Sequence, residues 1–332
     1  MSDAGERIAL DAMGGDNAPA TTVAGAVEAL RGSGVCTILV GDRDRLEAEL
    51  RKLGAAEEGL RIEHASEVVG MDEAPAVGIR QKQDSSIRVA ARLVREGQAE
   101  ALISMGNSGA TMAAGVLVVG RAPGVDRPPL AGLLPGKGAG TLLLDIGANT
   151  DCVPQNLLQF GIMGSLFMEV MHRVERPRVA LLNVGAEEVK GNQLSLAAHA
   201  LLRESEVNFV GNAEGVDLFT GDVDVVVCDG FTGNVAIKVM EGTGDLAFGL
   251  LRSAATSSNR GRLGGMMLRP ALGEIRASFD YAEWGGAPLL GVNGLVFIGH
   301  GRSHPGAVER AIVQVDAALS RNLPALLEKG LA

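Results

Sequence analysis

The chain has 332 residues, of which 46% are hydrophobic, 21% charged and only 3% aromatic, with 46 glycines and a net charge of −10. That apolar fraction builds a sizeable core and excludes wholesale disorder, while the length accommodates one large domain or two ordinary ones. An acidic chain with one Trp and one Tyr lacks the basic face and stacking platform of a nucleic-acid binder, and the glycines follow no collagen period.

Taken in chain order, short apolar runs end in glycine-rich polar turns and lead into amphipathic stretches. A strand is expected over 8–12, followed by DAMGGDNAP, with Pro19 opening a helix. Further strands are expected over 37–40, 101–104 (into GNSGA), 141–146 (into GANTD), 179–183 (into VGAEEVKG), 224–229 (into GFTGN) and 294–298 (into GHGRS). A helix over 306–319 follows the last of these. The stretch 123–135 (PGVDRPPLAGLLP) reads as a surface loop, a crossover or a boundary. Continuous apolar strands alternating with helices predict an α/β fold, doubly wound, with a mostly parallel sheet covered on both faces. No linker or repeat divides the chain, so a single domain over 5–325 is expected.

Three widely spaced cysteines without a CxxC pair suit a reducing compartment. The N-terminal MSDAGER shows no secretory pattern, and the longest apolar stretch, 111–119, is about half of the roughly 20 residues a membrane span requires. A cytoplasmic protein is expected, one still able to lie on a membrane surface.

Ligands of open parallel sheets bind outside the carboxyl ends of the strands. The residues expected there are Asp11, Gly14, Gly15 and Asp16; Asn107, Ser108 and Gly109; Asp145, Gly147 and Asn149. Later strands add Asn183, Gly185, Glu187 and Lys190; Asp229, Gly230, Gly233 and Asn234; and Gly299, His300 and Gly301. Glycine lets backbone N–H groups approach an anion, and a following helix N-terminus adds partial positive charge. DAMGGD is not GxGxxG and no GxxxxGK[ST] occurs, so no nucleotide or nicotinamide cofactor is supported by motif.

Several of these residues carry two readings. Asn107, Ser108, Asn149 and Asn234 serve either as helix caps or as ligand donors. Lys190 belongs either to a solvated charge run or to a site for phosphate or a developing oxyanion. His300 and His304 are four apart, but Gly301 and Pro305 oppose a helix through them, so His300 is read as a substrate hydrogen-bonding group and no metal site is expected. Cys228, inside VVVCDG, is read as a buried small residue rather than a nucleophile.

The stretch 250–278 departs from the rest. It carries Arg252, Arg260, Arg262, Arg269 and Arg276 against Glu274 alone, a local charge of +4, interleaved with Met266, Met267, Leu268, Leu272 and Ile275. It reads either as a helical hairpin packed on the core or a second subunit, or as a surface for an acidic partner or an anionic membrane.

The strings IALDAMGGDNAP, SMGNSGA, LLLDIGAN, LLNVGAEEVKG, FVGNAEG, DVVVCDGFTGN and GGAPLLGVNGLVFIGHG, in this order over nearly the whole chain, resemble the bacterial phosphate acyltransferases of fatty acid and phospholipid synthesis. The resemblance implies a fold similar to phosphotransacetylases and isopropylmalate-type dehydrogenases. It also implies transfer of a long-chain acyl group from acyl carrier protein to inorganic phosphate, without metal or nucleotide. A homodimer, peripherally associated with the membrane or a membrane acyltransferase through the helical excursion near 245–280, is implied as well. On this reading Lys190, Asn107, Ser108 and the glycine-turn amides hold phosphate. Asn149, Asn234 and His300 orient the carbonyl or stabilise its oxyanion, and Asp229, Asp11 or Asp16 fix those donors or accept a proton. The acidic carrier protein needs a local basic area, namely the arginines of 252–276, then Arg80, Lys82, Arg88 and Arg92. Two alternatives stay open: an acyl-CoA-dependent phosphotransacetylase or dehydrogenase on the same fold, and a non-catalytic membrane-surface adaptor.

Overall fold

The computed structural model describes residues 7–55, 59–278 and 285–331. The first strands, β1 (Ile8–Asp11), β2 (Thr37–Gly41), β3 (Leu60–His64) and β4 (Ala101–Ser104), belong to one sheet. The chain then leaves it to build a second from β5 (Ala131–Leu134), β6 (Thr141–Leu144), β7 (Val179–Leu182), β8 (Phe209–Ala213) and β9 (Val225–Val227). It returns to the first with β10 (Ala287–Leu289) and β11 (Leu295–Ile298). The spatial orders are β10-β11-β4-β1-β2-β3 and β5-β6-β9-β7-β8, parallel except for the edge strands β10 and β5. The expected parallel-dominated α/β architecture is present, with its strands shared between two sheets.

β1, β2, β4 and β6 are buried at every position, as strands covered on both faces must be. Alternate side chains separate into two apolar layers. Ile8, Leu10, Leu142, Leu144, Val225 and Val227 enter one layer, and Ala9, Leu143 and Val226 enter the other, so each layer draws on both sheets.

The helices that matter for the strand-end turns are α5 (Ser108–Ala114), α6 (Pro154–His172), α7 (Gln193–Glu204), α8 (Gly230–Thr256), α9 (Asn259–Ser278) and α10 (Pro305–Ser320). α8 and α9 form the expected helical hairpin, but α8 starts inside the strand-end region and runs out of it without interruption. The stretch 123–135 is not simply a loop. Its second half is β5, fully buried and antiparallel to β6, and Pro128 and Pro129 fall before the strand, where no ladder N–H is required. No helix among the described residues is long and apolar enough to cross a membrane.

Candidate active site

Strand register brings the glycine turns together. Asp11 and Ile298 both lie opposite Ser104, so the turns after β1, β4 and β11 stand side by side. Leu144 and Leu181 both lie opposite Val227, which does the same for the turns after β6, β7 and β9. The predicted site residues therefore fall into two rows, one per sheet.

In the first row, Asp11 is buried and accepts a hydrogen bond from Ser104 Oγ at 2.7 Å and from the Met13 N–H at 3.3 Å, with Ser86 as a further donor. Burial raises the pKa of this carboxyl above the usual range, opposed by these hydrogen bonds. A Cβ on Gly14 would stand 2.6 Å from Asp11 Oδ2 and 2.8 Å from the Gly106 nitrogen, so only glycine lets the first and fourth strand turns meet. The N–H of Asp16, after Gly15, donates to the Gly301 carbonyl at 2.8 Å, joining the first turn to the last. Asn107 caps α5 by accepting from the Ala110 N–H, and its amide donates toward the carbonyls of Gly70, Met71 and Glu73 at 3.0–3.2 Å. Its side chain is thus committed to holding the 70–73 loop. Ser108 is exposed at the first position of α5, and Gly109 lies against Pro75. His300 is half-buried, and its Nδ1 accepts from the Arg302 N–H at 3.2 Å.

In the second row, Asp145 is fully buried and accepts from five donors. Oδ1 takes the N–H groups of Leu130, Gly147 and Ala148 at 2.9–3.0 Å, and Oδ2 takes the N–H and side-chain amide of Asn149 at 2.6 and 2.8 Å. Desolvation raises its pKa, with the backbone donors pulling the other way. Asn149 spends its amide on Asp145 and on the Pro128 carbonyl at 2.9 Å, so it works as a brace rather than as a donor turned outward. Asp229 caps α8, accepting from the Thr232 N–H and hydroxyl at 2.9 and 2.7 Å. A Cβ on Gly233 would lie 2.0 Å from the Asp145 carbonyl oxygen, so glycine is what lets α8 press on this turn. Asn234 is half-buried beside Gly147. Lys190 is exposed, and its stem lies over Gly185 in a loop closed by Asn183, whose amide donates to the Lys190 carbonyl at 3.0 Å.

Asp145 is the group that residue-by-residue reading undervalued. It stands at a strand end like its neighbours, but only the fold shows five donors converging on it. Cys228 is buried, as expected, and desolvation first, then Asp229 and Asp145, push its thiol well above the ordinary value. Cys152 is pushed up to about 11 by burial and then by the same two carboxylates. Neither is a thiolate at neutral pH. His304 caps α10 through Nδ1, separate in role from His300, and among the described residues no group of three or more His, Cys, Asp or Glu could hold a metal ion.

Two parallel-dominated sheets with polar turns in register at their carboxyl ends define an α/β protein of the phosphotransacetylase fold. The structure matches a phosphotransacetylase from Streptococcus pyogenes with a TM-score of 0.62 at 15% identity, covering 96% of this chain and 95% of that one. The EutD phosphotransacetylase of Staphylococcus aureus matches with a TM-score of 0.60 at 15% identity, covering 94% of each. These likenesses concern the fold. The sequence goes further: residues 6–326 match the model of the fatty acid synthesis protein family, and the chain belongs to that family. It is 48% identical to a phosphate acyltransferase of Heliobacterium modesticaldum over 97% of both chains. It is 50% identical to one of Pelotomaculum thermopropionicum over 92% of this chain and 89% of the relative. The protein is an acyltransferase.

Proposed function

We propose that the protein transfers a long-chain acyl group from acyl carrier protein to inorganic phosphate, releasing an acyl phosphate for phospholipid synthesis. The observation that carries this reading is the 48% identity, over 97% of the chain, with a phosphate acyltransferase, retained together with the polar glycine turns that line the strand ends. A phosphate oxygen attacks the thioester carbonyl, the C–S bond breaks, and the proton of hydrogen phosphate passes to the leaving thiolate. Phosphate itself is the nucleophile, so the protein supplies position and charge stabilisation. That fits the buried Cys228 and the half-buried Cys152, both of whose thiols are pushed up and stay protonated.

Lys190 neutralises phosphate, together with Ser108 and turn amides. Asn234 and His300 orient the carbonyl or stabilise its oxyanion, while Asp11, Asp145, Asn107 and Asn149 hold the turns in register. Leu246, Leu250, Leu263, Met266 and Met267 are each 60–77% exposed on the α8–α9 hairpin, an apolar surface we assign to a second subunit and to peripheral membrane contact. Arg252, Arg260, Arg262 and Arg269, all exposed, supply the basic area for the acidic carrier. The side chains of Leu272, Glu274, Ile275 and Arg276 lie outside the described residues. The second basic group is a poorer dock, because Lys82 is paired with Glu73 and Arg88 donates to the Ile79 carbonyl.

The deciding experiment incubates the protein with palmitoyl-carrier protein, with and without phosphate, and follows acyl phosphate by mass spectrometry. Acyl phosphate and free carrier thiol are expected only when phosphate is present. Equal turnover with palmitoyl-CoA would favour the phosphotransacetylase-like alternative. Lipid binding without turnover would favour the adaptor.

A further inference from the structure

A cleft of ≈ 390 Å³ opens at the carboxyl ends of β7 and β9, between the N-termini of α7 and α8. Its size falls in the roughly 300–1,000 Å³ range of small-molecule sites. Leu157 of α6, Leu181 of β7 and Leu194 of α7 supply apolar wall, and Asn183, Asp229 and Thr232 supply polar wall.

The polar wall is not built for an anion. None of the lining residues is Lys or Arg, and one is an aspartate, whose charge repels a second anion in a partly desolvated space. The two helix N-termini are already capped: Asn192 Oδ1 accepts from the Ser195 N–H at 2.9 Å, and Asp229 accepts from Thr232. The Asn183 amide is spent on the Lys190 carbonyl, while its Oδ1 accepts only from the Val184 N–H among the bonds described. What the wall has left to offer is acceptor capacity on Asp229 and on Asn183 Oδ1, and donor capacity on the exposed side-chain amide of Asn192, a mixture that suits an amide-bearing ligand. The complementary ligand is neutral, carries N–H or O–H donors, and has methylenes to lay on the leucines.

We infer that this cleft receives the neutral, amide-bearing pantetheine arm that carries the acyl thioester, its N–H groups donating to Asp229 and Asn183 and its methylenes lying on Leu157, Leu181 and Leu194. The inference rests on the acyl-thioester reading above and adds where the carrier arm lies. Val227 is in register with Leu144, and the Cys228 thiol donates to the Asp145 carbonyl at 3.7 Å, so the cleft adjoins the Asp145–Asn149 turn where the thioester would arrive. Coenzyme A and holo-carrier protein share this arm, and both should compete for the cleft.

The test uses the full chain with two cleft variants. Leu194→Trp fills the wall, and Val184→Trp narrows the mouth at a position 79% exposed, where folding is not at risk. Val189→Trp, 83% exposed and outside the lining, is the control. Calorimetric titration with pantetheine, coenzyme A, holo-carrier protein and inorganic phosphate is run beside steady-state kinetics. Both cleft variants should weaken pantetheine binding and raise KM for the acyl thioester at least tenfold, with KM for phosphate within twofold of wild type and the control unchanged. Pantetheine affinity untouched by Val184→Trp, or a loss confined to phosphate, overturns the assignment. Competition by holo-carrier protein but not by coenzyme A would place the carrier protein as the source of the arm. If wild type binds pantetheine and Val184→Trp blocks it, yet no acyl thioester yields phosphate-dependent thiol release, the function reading has failed and the cleft assignment stands.

Discussion

The two strand-end rows use the same device for different ends. Each places a buried aspartate at the last position of, or just after, a central parallel strand, and burial raises the pKa of both. Asp11 draws half of its donors from elsewhere, the hydroxyls of Ser104 and Ser86, which beside the N–H groups of Met13 and Gly14 tie three chain segments to one carboxylate. Asp145 draws four of its five donors from residues 147–149, and the fifth from Leu130. One carboxylate cross-links elements, and the other folds its own turn and presents it to α8. Similar sequence strings, LDAMGGD and LDIGANTD, thus encode a clamp and a template.

That contrast can be broken, beginning with the largest expected effect. Gly233→Ala drives a methyl into the Asp145 carbonyl and should cost about 3 kcal/mol or more of stability, read as a fall in the denaturant midpoint. A cost under about 1 kcal/mol would mean α8 is not pressed onto the second row. Lys190 stands only in the second row, and Lys190→Ala should lower phosphate-dependent turnover about 10²–10³-fold with unchanged folding. Near-wild-type turnover, with a comparable loss in His300→Ala instead, would move the chemistry to the first row.

Asp145→Asn turns an amide toward the Asn149 donors and should cost about 2 kcal/mol. Ser104→Ala removes one donor from Asp11 and should cost about 1 kcal/mol. The ranking reverses if the clamp matters more than the template. The pH dependence sharpens the point. A carboxyl whose folded pKa is raised contributes stability that is full below its unfolded pKa and declines as pH rises through the folded one. Above about pH 4, wild type should therefore lose stability relative to Asp145→Asn as pH increases, measured by denaturant unfolding at successive pH values. A difference that is flat or grows the other way contradicts a raised pKa. The smallest effect belongs to the hairpin, where Met267→Ser, at a position 77% exposed, should change monomer stability by no more than about 0.5 kcal/mol. A larger loss would show that this surface is covered within the chain.

Much of this was legible before the fold. Strands ending near Asp11, Ser104, Asp145, Asn183, Asp229 and Ile298 follow from apolar runs that stop at glycine and polar residues, because a strand buried on both faces shows itself as unbroken hydrophobicity. The hairpin was legible from its charge and helical spacing. β5 was not, since PPLAGLLP flanks a four-residue strand with three prolines and puts a glycine inside it, and an edge strand carries too little pattern to outweigh them.

By itself, the sequence determined the fold class, the family and the row of turns in which ligands would lie, because these depend on local runs and on the order of short motifs. Only the tertiary structure decided how strands divide between two sheets, and which polar groups are left for a ligand. Asn107 and Asn149 look like donors in the sequence and are spent on carbonyls and a buried carboxylate in the fold. Hydrogen-bond capacity is a property of neighbours, and the neighbours of Asn107 lie more than thirty residues away.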